Sequence, residues 1–206
     1  MRLESDPRFL VLHALRIKGF AKTDVLSELS GLPIEDVDGE LAGLQREELV
    51  LFREARSLWQ LTPAGRAAHG PLLAADAEHR GMRAGLEPHY PAFLELNVRF
   101  KELCGDWQLR NGAPNDHSDA IYDRQVLDRL AALDAAAQPI CASFRGVAVR
   151  FGGYGHRLSH VAQLVDGGQF NLFTGVMCGS YHDVWMELHE DLILTLGIDR
   201  SAEGSF

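Results

Sequence analysis

Apolar residues recur at helical spacing through the first third of the chain. Between Phe9 and Ile17 the apolar positions, joined by His13, fall on one face of a predicted first helix, which Gly19 ends. A second helix follows, and Gly31-Leu32-Pro33 forms a tight turn into a third, predicted from Pro33 to about Glu48. The pattern therefore begins with three short helices.

The next apolar runs are too short for helices. Leu49–Phe52 and Leu58–Leu61 are strand-like, and Arg53–Ser57 would form the tip between them. Thr62 then precedes Pro63, which is a strong signal for the start of a helix. We predict a two-stranded ribbon followed by a fourth helix.

Three segments in this order resemble the winged-helix domains of MarR-type transcriptional regulators: Leu29-Ser30-Gly31-Leu32-Pro33, Leu44-Gln45-Arg46-Glu47-Glu48-Leu49-Val50 and Leu61-Thr62-Pro63-Ala64-Gly65-Arg66. The resemblance covers roughly the first third of the chain. It implies that the third helix enters the major groove of double-stranded DNA and that the ribbon reaches the minor groove. The residues expected to contact DNA are Lys22, Gln45, Arg46, Arg53 and Arg56.

Charge complicates this interpretation. The chain has a formal net charge of −9. Residues 1–70 contain 9 Lys+Arg and 11 Asp+Glu, a net charge of −2, which leaves −7 for the remainder. Asp36, Asp38 and Glu40 lie early in the third helix, where acids favour a helix N-terminus but repel phosphate. An alternative is therefore a winged helix that contacts protein instead of DNA.

Helical patterns continue over the rest of the chain. We predict a winged-helix domain at 1–70, a helical linker at 71–85 and an all-α C-terminal domain of about five helices at 86–206. Pro71 and Pro139 are expected to interrupt helices. Asp116 or Ser118 is expected to cap one. The fold class is thus mainly α with a small β-wing.

The C-terminal domain combines aromatic residues with a few polar ones, as effector pockets do. His182 and His189 share a helix face but lie two turns apart, too far for one metal ion. Asn115–Asp119 could be a ligand clamp, half of a metal site or simply a helix cap. We predict a pocket for an aromatic or organic acid, with no metal or cofactor, lined by Trp107, Arg110, His117, Tyr122, Tyr181, His182, Trp185 and His189.

No nucleophile elbow, phosphate loop or dinucleotide fingerprint occurs, so we do not expect an enzyme. Three widely spaced cysteines, a polar start without a signal-peptide pattern and the lack of a long apolar stretch predict a cytoplasmic protein without a membrane partner. The leading hypothesis is a homodimeric, ligand-responsive transcriptional regulator.

Two other functions remain open. The first is an accessory module that no longer binds DNA. In its favour, the helical half resembles regions of proteins related to phosphoenolpyruvate-utilising dikinases, although none of their catalytic motifs is present. The second is a metal- or ligand-dependent enzyme centred on His117, His182 and His189.

Overall fold

A computed structural model describes residues 5–79 and 81–199. The fold is mainly helical, with 73% helix, 7% strand and a small antiparallel sheet. Its contacts divide the described residues into two compact units. One contains the chain up to Ala84 together with the residues from Glu190 onward, and the other is Gly85–His189. Residues from Glu190, which the sequence pattern assigned to the helical domain, thus group with the first unit. Residues 1–4 of the polar start lie outside the described residues.

The first unit alternates helices with very short strands. In chain order it contains α1 (Pro7–Lys18), β1 (Phe20–Ala21), α2 (Thr23–Ser30), α3 (Ile34–Arg46), β2 (Val50–Arg53), β3 (Leu58–Leu61) and α4 (Pro63–His79), with a 3₁₀ turn at Glu54–Arg56 between β2 and β3. The three strands are antiparallel in the order β1-β3-β2. A hydrophobic core lies between the helices and the sheet, and its buried members are Val11, Leu12, Ala14, Leu15, Ala21, Leu26, Val37, Leu41, Leu44, Val50 and Leu61.

Local signals explain where these elements begin and end. The Asp6 carboxylate caps α1 by accepting the backbone N–H of Arg8 at 2.8 Å. Gly19 and Gly31 end α1 and α2 with φ of 79° and 71°, which glycine adopts without steric cost. β1 was not predicted, because two residues are too few to show alternation.

The start of α4 packs tightly against the chain entering β2. The Thr62 hydroxyl donates to the Glu48 carbonyl at 2.7 Å and accepts the backbone N–H of Gly65 at 3.0 Å. A Cβ added to Gly65 would lie 2.0 Å from the carbonyl oxygen of Leu49. Only glycine fits this close approach of two backbone segments.

The second unit is built on long helices. Its elements are α6 (Tyr90–Gln108), β4 (Leu109–Arg110), β5 (Ala113–Pro114), α7 (Ala120–Val147), α8 (Gly152–Asp166), α9 (Asn171–Thr174) and the first part of α10 (Tyr181–Leu196), preceded by the short α5 (Met82–Leu86). β4 and β5 form a hairpin around Asn111-Gly112, with φ of 52° and 80°. The prediction that the C-terminal domain is all-α was therefore wrong at this point. Asn111-Gly112 is a strong sequence signal for a hairpin, and the prediction did not use it.

Neither predicted proline break occurs. Pro71 lies inside α4, and Pro139 lies inside the 28-residue α7. On both sides of Pro139 the buried residues keep a helical period, for example Leu133, Ala137, Cys141 and Phe144. Burial of this continuous face offsets the roughly 3 kcal/mol that an interior proline costs. The cap of α7 is Asp119, which accepts the backbone N–H groups of residues 121 and 122, and not Asp116 or Ser118.

Across the described residues, no helix has the length and apolarity needed to cross a membrane.

Candidate functional site

The residues predicted to contact DNA all lie on the surface of the first unit. Lys22 precedes α2, Gln45 and Arg46 occupy the last turn of α3, and Arg53 and Arg56 flank the tip between β2 and β3. All five are exposed. They therefore fall on three separate surface elements of this unit.

The surface of α3 is acidic over its first turns. Glu35, Asp36 and Asp38 are exposed there. Just beyond its end, Arg8 donates to both carboxylate oxygens of Glu47. Hydrogen bonding from Arg8 lowers the pKa of Glu47, so this acid is matched by a cation. By contrast, Glu35, Asp36 and Asp38 are stabilised mainly by the positive end of the α3 helix dipole.

In the second unit, four of the predicted effector residues come together beside the β4–β5 hairpin; we call them the hairpin cluster (Trp107, Arg110, His117 and Tyr122). The Trp107 and His117 rings lie 4.3 Å apart between centroids. The Arg110 guanidinium lies 4.7 Å from the centre of the Tyr122 ring and donates to Asp119 at 2.7 Å. The backbone N–H of Tyr122, followed by Arg110, lowers the pKa of Asp119.

The side chains of Asn115 and Asp123, beside this cluster, and of His117 within it satisfy one another. The Asn115 side-chain amide donates to the Trp107 carbonyl at 3.2 Å and to Asp123 at 3.1 Å, which uses both of its protons. His117 Nδ1, 3.1 Å from the other Asp123 oxygen, must therefore be the donor in that contact. Asn115 Oδ1 in turn accepts the His117 backbone N–H. The arrangement fixes His117 in a left-handed conformation with φ of 56°.

Tyr181 and Trp185 lie on α10 and are fully buried. Trp185 packs against the rings of Phe93 and Phe100, and its indole N–H donates to Asn97 at 2.9 Å. Burial, and then the charge of Asp134, raises the pKa of Tyr181. These two aromatic residues form part of the core of the second unit and do not line an open pocket wall.

The two histidines of α10 differ from each other. His189 is buried, and its Nε2 lies 3.4 Å from the Tyr90 hydroxyl. His182 packs near Phe100, and its buried Nδ1 has no hydrogen-bond partner in the described part of the chain. Among the predicted effector residues, Arg110 and His117 of the hairpin cluster are the polar ones whose side chains are shown near solvent, at 35% and 39% exposed.

A buried polar network in the first unit was not predicted. His13 Nδ1 lies 2.9 Å from His69 Nε2, and His13 Nε2 lies 3.0 Å from Asp191. All three residues are at most 5% exposed, and the Phe9 ring packs beside both histidines. An ionised Asp191 only accepts, so His13 donates through Nε2, and the Nδ1 of a neutral His13 accepts from His69. Helical spacing placed His13 on a buried face, but no sequence signal linked it to partners 56 and 178 residues away.

The cysteines are dispersed. Burial raises the pKa of the Cys104 and Cys141 thiols to about 12, whereas Cys178 is exposed. Among the described residues, no group of three or more His, Cys, Asp or Glu side chains could hold a metal ion.

The predicted effector residues thus separate into the hairpin cluster and a set on α10, in which His182 is half-buried and the other three are buried, while the predicted DNA contacts lie on the first unit. Compared with protein-family models, curated proteins and solved structures, the chain matches none.

Proposed function

We propose that the first unit is a winged helix and that the chain is a ligand-responsive, DNA-binding transcriptional regulator. The observation that carries the proposal is the connectivity of this unit. A helix, a short strand, two helices and two further strands follow one another, and the strands pair in the order β1-β3-β2. This connectivity brings a turn between two helices and a strand hairpin onto one small core.

Docking of this unit would use α3 and the tip of the β2–β3 hairpin. Because acids occupy the first turns of α3, the contacts from this helix would come from Gln45 and Arg46 in its last turn. Arg53 and Arg56 would bind phosphates or reach the minor groove from the tip. In a homodimer, two copies of α3 would have to match half-sites about one DNA turn apart. An effector would act by changing that spacing.

The test is an electrophoretic mobility shift on the DNA upstream of the protein's own coding sequence, across a salt series. For Arg53→Ala/Arg56→Ala we expect weaker binding to this DNA. The slope of log affinity against log salt concentration should also become shallower by about 2, because each lost phosphate contact reduces the slope by about 0.9. The matched control is Arg99→Ala/Arg145→Ala, which removes two exposed cations from the second unit and gives the same net charge.

The control separates local contact from overall charge. If both double variants bind equally well, Arg53 and Arg56 have no specific role. If the unmodified protein does not bind this DNA even at low salt, the proposal of transcriptional regulation fails.

A second candidate function is a winged helix that binds a protein. The acidic start of α3 favours it, because this surface repels DNA but suits a basic partner. Asp36→Asn/Asp38→Asn distinguishes the two in the same assay. If α3 approaches DNA, neutralising these acids strengthens binding, most at low salt. A protein-binding module would show no DNA shift with either form.

For the effector, the hairpin cluster is the better supported part of the predicted pocket. Arg110 uses one guanidinium nitrogen on Asp119, and its other donors lie with the His117 imidazole beside two aromatic rings, which suits an aromatic carboxylate. We expect benzoate, as a first probe, to change tryptophan fluorescence in the native protein and to bind at least about tenfold more weakly to Arg110→Ala. Arg150→Ala removes a cation from elsewhere in the same unit and should leave binding unchanged. Equal binding by both variants would exclude Arg110 as the anchor.

A further inference from the structure

Two histidines on α8 form a pair that neither the predicted effector pocket nor the proposed DNA contacts use. His156 and His160 are four residues apart and both are exposed. Their rings are nearly parallel, at 26°, with centroids 6.3 Å apart. Helical residues at this spacing have Cβ atoms about 5–6 Å apart on one face. Both imidazoles therefore extend from the same patch of helix surface.

This spacing suits shared coordination of one metal ion. Metal–nitrogen bonds of about 2.0–2.1 Å place each ring centre roughly 3 Å from the ion. A separation of 6.3 Å is at the outer limit of what one ion spans, and side-chain rotation brings the rings closer. The same spacing supplies the two histidine ligands of H-E-x-x-H metal sites on helices.

The surroundings leave this patch open to a cation. Arg157 is the nearest positive side chain in sequence. Its guanidinium donates to the Glu187 carboxylate at 2.6 Å, and both side chains are largely buried. Its charge is thus matched on the inner side of the helix. Ser159 also faces inward and donates to Asp134 at 2.8 Å. These contacts fix the inner side of α8, so the backbone that carries His156 and His160 is fixed as well.

We propose that His156 and His160 form a two-imidazole chelate for a divalent transition-metal ion of the copper, nickel and zinc class. Imidazole nitrogen selects these ions over magnesium and calcium, which prefer oxygen. Because the pair supplies only two ligands, water or another small ligand fills the remaining positions. This agrees with the lack of any larger ligand group among the described residues. The proposal is independent of DNA binding.

The test is calorimetric titration of untagged protein with NiCl₂, CuCl₂ and ZnCl₂ in a buffer that does not chelate metals. All proteins carry Cys178→Ser, which removes the exposed thiol as a competing ligand. We expect one ion per chain, with copper bound most tightly and MgCl₂ not bound. His160→Asn should weaken binding at least about tenfold, since the second imidazole acts at high effective concentration. Lower pH should also weaken binding, because protons compete for the imidazole nitrogens.

The matched control restores the number of histidines at the wrong spacing. His160→Asn/Gln163→His places imidazoles at residues 156 and 163, about 10 Å apart along the helix. We expect it to bind as weakly as His160→Asn alone, with an unchanged circular dichroism spectrum. No binding by the parent protein overturns the proposal, as does equal binding by His160→Asn or recovery of binding in the control.

Discussion

Replacing Gly65 by alanine is expected to destabilise the first unit by about 3 kcal/mol. The added Cβ would lie 2.0 Å from the carbonyl oxygen of Leu49, and a backbone oxygen cannot rotate away as a side chain can. Relief requires the start of α4 to move, which would stretch the bonds from Thr62 to the carbonyls of Glu48 and Leu49. For a chain of this length the melting temperature should fall by roughly 6–12 °C. Urea and thermal unfolding followed by circular dichroism measure the change.

Gly39→Ala is the matched control, because it lies inside α3 of the same unit, is exposed and has nothing within 4 Å of an added Cβ. Alanine there should stabilise the protein by about 0.5–1 kcal/mol, since glycine loses more backbone entropy on folding. Opposite signs for the two substitutions would show that the effect at residue 65 comes from the contact with Leu49. A stabilised Gly65→Ala protein would contradict the close approach of α4 to β2.

Asp191→Ala is the second substitution with a large expected effect. It removes the acceptor for His13 and for the Thr195 hydroxyl, which donates to the same carboxylate oxygen at 3.1 Å. Removing the acceptor of a buried donor costs about 1–3 kcal/mol, so we expect a loss of about 3 kcal/mol for these two hydrogen bonds together. Hydrogen exchange should show reduced protection of the α1 peptides, which contain His13, together with the lower melting temperature.

Asp191→Asn separates the hydrogen bond from the charge. The asparagine oxygen can still accept from His13, so a neutral network predicts a loss of no more than about 1 kcal/mol. If the asparagine variant loses as much stability as the alanine variant, the negative charge of Asp191 is required for stability. The pair of His13 and His69 would then be positively charged. If neither variant is destabilised, the buried network does not contribute to stability.

Sequence signals anticipated most of the first unit because they are local. Asp6, Gly19 and the Thr62-Pro63 pair each act within one helical turn, through a cap, a left-handed turn or a preset φ. Such features need no knowledge of distant contacts.

The missed features depend on partners that are far apart in the chain. β1 exists because Phe20 and Ala21 meet β3 about 40 residues later, and nothing in two residues signals this pairing. The helix through Pro139 persists because its buried face packs against neighbouring helices. In the predicted effector pocket, residue type alone could not separate buried Trp185 from Arg110 and His117, whose side chains lie near solvent beside the hairpin.

The contact between His13 and Asp191 also has a consequence for synthesis of the protein. The two residues are separated by 178 positions, so α1 emerges from the ribosome long before its acidic partner. At about 5–20 residues per second, the delay is roughly 10–35 s. His69 follows His13 by 56 residues, so for most of this interval the nascent first unit holds both histidines without Asp191. The hydrogen bond from His13 to Asp191 can therefore form only after residue 191 has been synthesised.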